Sequence, residues 1–139
     1  MSDRGWTHFE HGADIGVRGF GPTIEAAFEQ AARALTAVVV DPDAVSPKLS
    51  VDIACAAPDD EILLVDWLNA VIFEMAARGM VFGAFEVRIE EGRLAATARG
   101  EPVDRSRHAP AVEVKGATFT ELRVAERKGN WIAQCIVDV

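Results

Sequence analysis

The closing residues WIAQCIVDV place Asp138 beside the terminal carboxylate of Val139, at the end of an otherwise apolar run. Two like charges that close repel, and the repulsion is costly wherever the segment is held in place. Fraying of the terminus into water would solvate both groups. A hard cation such as Ca²⁺ or Mg²⁺ would resolve it differently, by drawing carboxylate and carbonyl oxygens together from separate segments. HGADIG offers another such oxygen: Asp14 follows His11 by three residues in a glycine-flanked bend. The plainer role for Asp14 is to bond its own turn backbone. Glu101 and Asp104 in GEPVDRSRH add acid, and His108 and Lys115 could balance charge or move a proton. Loop charges of this kind are ordinarily solvated. Asp66 and Asn69 in LLVDWLNAV interrupt an apolar run, either to cap or bridge within the fold or to mark a partner surface. His8 and Trp6 read as surface or core filler.

The residue spacing reaches no HExxH, P-loop or GxSxG motif and no catalytic cysteine constellation. A free-standing metal-dependent hydrolase built on Asp14, His11 and His108 stays open at this point, as does a chaperone or structural module with no need of Asp14. Cys55 and Cys135 lie in strand-like segments without a CxxC pair or a signal peptide ahead of them. Buried, reduced thiols in a cytoplasmic protein are the expectation.

Hydrophobic period and punctuation give the elements that must position these groups. Short strands are predicted near Trp6 to Glu10 and Ile15 to Phe20, joined by the HGADIG bend. PTIEAAFEQAARALTAVV follows with Thr23 as a candidate N-cap, an apolar stripe of Ile24, Ala27, Phe28, Ala31, Leu35 and Val38, and a polar stripe of Glu25, Glu29, Arg33 and Thr36. That pattern predicts a helix with one buried face and an i,i+4 pair of Glu29 with Arg33. KLSVDIAC alternates as a half-exposed strand, with Leu49, Val51, Ile53 and Cys55 on one face. APDDEILLVDWLNAVIFEMAARG predicts a second helix closed at Gly79. Strands are predicted over Phe85 to Glu90, Leu94 to Arg99, Thr118 to Glu126 and Trp131 to Val139, the last apolar on both faces and therefore central. The fold class is α+β: two helices packed on a largely antiparallel or mixed β-sheet, in a single domain over residues 1–139. The stretch from Gly100 to Ala117 is the one long irregular loop, of a kind that tends to carry function.

The chain has 139 residues, 50% of them hydrophobic, with a formal net charge of −8. That length and composition fit one compact core. The charge argues against strong direct binding of nucleic acid, which needs clustered Lys and Arg, and no apolar run reaches the roughly 20 residues of a membrane span.

The ordered segments resemble the archease family over nearly the whole chain. HGADIGVRGFGPTIEAAFEQAA is similar to the family's HTADIG opening and helix, and LLVDWLNAVIFE to its central helix signature. GEPVDRSRHAPAVEVKGATFTEL with WIAQCIVDV is similar to its GE-x-x-D, KH, VKAVT and VDV ending. The departures are Gly12 where the family usually has threonine and KGAT in place of KAVT, which imply looser support around a metal. The resemblance implies an accessory protein of RNA maturation, not an enzyme. Such a protein would activate the tRNA-splicing RNA ligase that joins 2′,3′-cyclic or 3′-phosphate ends to 5′-hydroxyl ends, promoting its guanylylation and turnover. A role in modulating a tRNA cytosine-5 methyltransferase is also implied. The cofactor implied is a divalent metal ion, commonly calcium with Mg²⁺ or Mn²⁺ as alternatives, held by Asp14, Asp138 and Val139. His11, Lys115, Glu101, Asp104 and His108 are then neighbours of the metal or contacts for the partner.

Overall fold

The computed structural model describes residues 3–139. Its eight strands are β1 (Gly5–His11), β2 (Asp14–Gly21), β3 (Leu49–Ala56), β4 (Met80–Glu90), β5 (Arg93–Pro102), β6 (Gly116–Ala117), β7 (Arg123–Arg127) and β8 (Asn130–Asp138). The helices are α1 (Ile24–Val39), α2 (Asp60–Arg78) and the short α3 (Arg105–His108). The strands divide into two sheets, one of order β1-β2-β8-β6 with β7 also on β8, the other β3-β5-β4, and every pairing is antiparallel. A single sheet was the simpler expectation. Each sheet presents one face to the helices, and the α+β class stands.

Both long helices begin and end as their sequences predict. Thr23 Oγ1 accepts from the Ala26 N–H at 3.0 Å, and Asp59 does the same for Ile62 at 2.9 Å. Gly79 closes α2 in the left-handed region at φ 62°, where a side chain would be strained. Trp67, Phe28, Phe82, Leu35 and Leu63 fill the core between the layers, and the Trp67 indole N–H donates to the Phe28 carbonyl at 3.0 Å. Helix α1 sits very close to β2, because Gly19 has no side chain. A Cβ there would lie 2.2 Å from both Ala27 O and Ala31 N.

The polar stripe of α1 does not face water. Glu29 accepts from Val87 N–H at 2.8 Å and Glu25 from Ile89 N–H at 3.5 Å, while Arg33 donates to Gly83 O at 3.0 Å and Thr36 to Phe82 O at 2.7 Å. All four contacts fall on β4, the edge of the three-stranded sheet. Side chains of the helix thus take the place of a missing strand, which also blocks edge-to-edge pairing. The expected Glu29–Arg33 pair does not form: Glu29 meets Arg4 at 3.7 Å, and Arg33 turns to Asp43. Backbone groups on β4 outcompete a surface ion pair worth a few tenths of a kcal/mol.

Helix α2 does the same for the other sheet. Glu61 accepts from Val124 N–H at 3.3 Å and Asn69 from Ala117 N–H at 2.9 Å. Of the predicted strand from Thr118 to Glu126 only the part from Arg123 is a strand, β7; Thr118 to Leu122 form a bend and turn, and the two residues of β6 come before it. The other strands hold to their expected places; β1, β2, β4 and β5 run longer, while β3 starts at Leu49 and β8 stops at Asp138. On β3, Val51 and Ile53 are buried, but Leu49 is 51% exposed because it lies at the start of the strand, beyond the core.

Candidate cation site and the buried carboxylate beside it

Strand β2 runs antiparallel to β8 with Ile15 opposite Val137, so one further step along the register sets Asp14 opposite Asp138. Directly opposed side chains of an antiparallel pair project from the same face, about 5 Å apart at Cβ. The β1–β2 hairpin delivers Asp14 through a two-residue loop, Gly12–Ala13, between the paired His11 and Asp14. Gly12 has φ 61°, a conformation that glycine adopts freely and threonine does not. On its other side, Asp138 pairs with Gly116 of β6, and its carbonyl accepts from the Lys115 N–H at 2.8 Å.

The C-terminus is held in place. Val139 is half-buried and packs against the main core, and β8 runs through Asp138. Fraying is therefore not what relieves the repulsion. Among the described residues, neither Asp14 nor Asp138 has an ion pair or a side-chain hydrogen bond. The register thus sets two unpartnered carboxylates opposite one another at the end of β8, one residue before Val139.

Support for this corner comes from α2. Asn69 holds β6 against β8, which settles its role as part of the fold. Asp66 is exposed and does not bridge within the core. At position 116 a Cβ would meet Asn69 Oδ1 at 3.5 Å, an ordinary contact, so the glycine of KGAT is a smaller filling and not a geometric requirement.

Glu101, Asp104 and His108 form a separate cluster at the end of β5. Glu101 is 2% exposed and accepts from the Ser46 N–H at 2.6 Å, from the Arg107 guanidinium and from His108 Nε2 at 3.1 Å, with Lys48 Nζ at 3.9 Å. Asp104 caps α3 through the N–H groups of Ser106 and Arg107, and its own N–H donates to His108 Nδ1 at 2.8 Å. That donation fixes the proton of His108 on Nε2, aimed at Glu101. The Arg107 guanidinium, with the Ser46 N–H, holds the Glu101 carboxyl down at about 2. The expectation that these loop charges are solvated fails for Glu101 and His108, since both are buried. None of their hydrogen bonds reaches Asp14 or Asp138. His108 is thereby committed to the loop, which removes it from a catalytic set with Asp14 and His11. His11 is exposed at the hairpin end beside Asp14, and the Lys115 side chain is exposed next to β6.

As a donor set, Asp14, Asp138 and the carboxylate of Val139 are all oxygen, which suits a hard divalent ion. Among the described residues, no three His, Cys, Asp or Glu side chains converge. Cys135 is buried and Cys55 half-buried, both free, with burial pushing the Cys135 thiol up to about 12 and the Cys55 thiol to about 11. Neither is poised as a nucleophile.

The model of the Archease protein family (MTH1598/TM1083) matches residues 6–139. The chain belongs to the archease family. Among curated relatives, the archease of Pyrococcus furiosus is 39% identical across 98% of this chain and 99% of its own length. The archease of Thermococcus gammatolerans is 40% identical over the same shares. The solution structure of Methanobacterium thermoautotrophicum protein 1598 superposes with a TM-score of 0.85 at 29% identity, covering 97% of this chain and 99% of that one. A Thermotoga maritima crystal structure, described as an archease and possible chaperone, shares the fold at a TM-score of 0.62 and 18% identity. The two-sheet arrangement is thus an archease arrangement. No helix is long and apolar enough to cross a membrane among the described residues.

Proposed function

We propose that this archease is an accessory activator of an RNA ligase, acting through a divalent cation held by Asp14, Asp138 and the carboxylate of Val139. The observation that supports this reading is the β2–β8 register, which sets the unpartnered Asp14 and Asp138 opposite one another beside Val139. When bound, the cation supplies a compact positive charge that attracts phosphate and carboxylate oxygens. The chain's own residues do the rest. The Gly12–Ala13 loop aims Asp14, Asn69 fixes β6 against Asp138, and Val139 anchors the end of β8 in the core.

The ligase in question joins 2′,3′-cyclic or 3′-phosphate ends to 5′-hydroxyl ends, and the archease promotes its guanylylation and repeated turnover. A net charge of −8 favours encounter with a basic, RNA-binding enzyme. A tRNA cytosine-5 methyltransferase is the alternative partner, and the description of the Thermotoga maritima relative as a possible chaperone fits that reading. A stand-alone hydrolase is disfavoured by the commitment of His108 to Glu101.

The test is RNA ligation in excess substrate with Mn²⁺ and GTP, comparing no archease, the unmodified chain and Asp14→Ala. Many turnovers only with the unmodified chain support the reading. Equal turnover in all three overturns it.

A further inference from the structure

The helices cover only one face of the larger sheet. Phe9, Phe20, Ile132 and Ile136 project from its other face; the first three are half-buried there, while Ile136 is 2% exposed. On that open face the two phenylalanines lie flat. A Cβ at Gly16 would fall 2.4 Å from the Phe9 ring, and one at Gly5 would fall 3.0 Å from Phe20, so each ring rests directly on a glycine of the neighbouring strand. Phe119, 67% exposed, lies at the edge of β8, in the bend whose flanking residues Thr118 and Thr120 hydrogen-bond to the Ile136 backbone.

Guanidinium groups surround these rings. Gln134 stands opposite Arg18 on one side and Arg123 on the other, so the two arginines are two strand spacings apart, about 10 Å. Arg127 projects from the same face of β7 as Arg123. Arg18 lies with its guanidinium carbon 4.7 Å from the centre of the Phe9 ring, and its Nε donates to Gln134 Oε1 at 2.8 Å. Among the described residues none of the three arginines has a carboxylate partner, in a chain with 22 acidic residues. Asp14 and Asp138 lie at the far end of this face, while Glu121 borders it, its carbonyl accepting from the Gln134 side chain at 3.1 Å. From Asp14 to Arg18 is about 13 Å along the strand, beyond the ~8 Å screening length of physiological salt.

We propose that this face is a platform for single-stranded nucleic acid, with Arg18, Arg123 and Arg127 on the phosphates and the rings of Phe20 and Phe119 under the bases. Unpaired guanidiniums complement a polyanion, and flat, accessible rings on an antiparallel sheet are what unstacked bases settle on. An acidic protein surface would use the arginines but gives no reason for rings laid flat between them. The local charge overrides the net charge only at this face, so binding is weak and salt-sensitive, about 10–100 µM at low salt.

The proposal stands apart from the cation site and is tested on the full chain by fluorescence anisotropy. The probe is a labelled single strand of about 10 nucleotides, within the ~4–16 that such platforms cover. Arg123→Glu/Arg127→Glu alters two exposed side chains with no side-chain hydrogen-bond partner among the described residues, and Phe119→Ala one exposed ring, so the fold is retained and circular dichroism verifies it. The expected result is binding that falls at least about tenfold in the double charge reversal, with a flatter salt dependence. Phe119→Ala should weaken it about fivefold or more. A duplex of the same sequence should bind less well than the single strand. Equal binding by the charge-reversed chain, or no salt-sensitive binding at all, overturns the proposal. Arginine-dependent binding of polyglutamate in place of the oligonucleotide would overturn it as well, and reassign the face to an acidic protein.

Discussion

Glu101 carries its charge where water does not reach, and its neighbours explain why it stays ionised. Arg107, the Ser46 N–H and His108 all donate to it, and together they hold its carboxyl at about 2 instead of the usual 4.5. A depressed carboxyl contributes stability at pH values above its ordinary pKa and loses that contribution as pH falls through the folded value. Acid unfolding should therefore steepen between about pH 4.5 and 2, and Glu101→Gln should flatten that limb in a pH series of thermal melts. The cysteines behave in the opposite sense. Their raised values contribute stability in full below about pH 9 and lose it as pH rises through about 11 and 12, and Cys135 should resist alkylation at neutral pH until the chain unfolds. Asp14 and Asp138 were legible in the sequence, because a carboxylate beside a terminal carboxylate needs an explanation. The burial of Glu101 was not legible. Nothing in GEPVDRSRH shows that Arg107 and His108 will fold back onto it, since α3 is a single turn and its partners Ser46 and Lys48 lie far away in sequence.

At the scale of elements, the two helices owe their positions as much to their polar residues as to their apolar stripes. Glu29 on α1 takes up the Val87 N–H of an edge strand. Glu29→Ala should cost about 1–2 kcal/mol in a denaturant titration, and it should increase aggregation by uncovering that edge. Glu29→Gln, which keeps an acceptor, should recover most of the loss. Gly19 fixes how close α1 can come. Gly19→Ala places a methyl against helix backbone that cannot yield and should cost about 3 kcal/mol or more, or prevent folding. Helical periodicity located α1 and α2, and the capping residues bounded them well. What a single sequence does not carry is the partner of the polar stripe: Glu25, Glu29, Arg33 and Thr36 have the spacing of a solvated face, and only the tertiary fold lays β4 across them. The same gap explains the lost Glu29–Arg33 pair and the shortening of the predicted Thr118–Glu126 strand to its part from Arg123, where Glu61 reaches in from α2.

Across the whole molecule, β8 ties the candidate site to the core. One of its faces is packed under the helices, the other lies on the open sheet face, and its end carries Asp138. A cation at that end would bind the folded chain alone, so its binding energy adds to stability: about 2.7 kcal/mol at a hundredfold excess over its dissociation constant. Without cation the opposed carboxylates work against the fold. Asp14→Asn in a chelating buffer should then raise the melting temperature, consistent with the ~0.2–1 kcal/mol that like charges cost when directly opposed. The most direct test of the cation site is calorimetric titration of Ca²⁺, and in parallel Mn²⁺, into the full chain, Asp14→Asn and Asp138→Asn. The expected result is one site per chain, weakened at least about tenfold by either substitution, because each removes a charged ligand. Undiminished binding in both variants, or no binding by the unmodified chain, would contradict the assignment of Asp14, Asp138 and Val139 as a cation site.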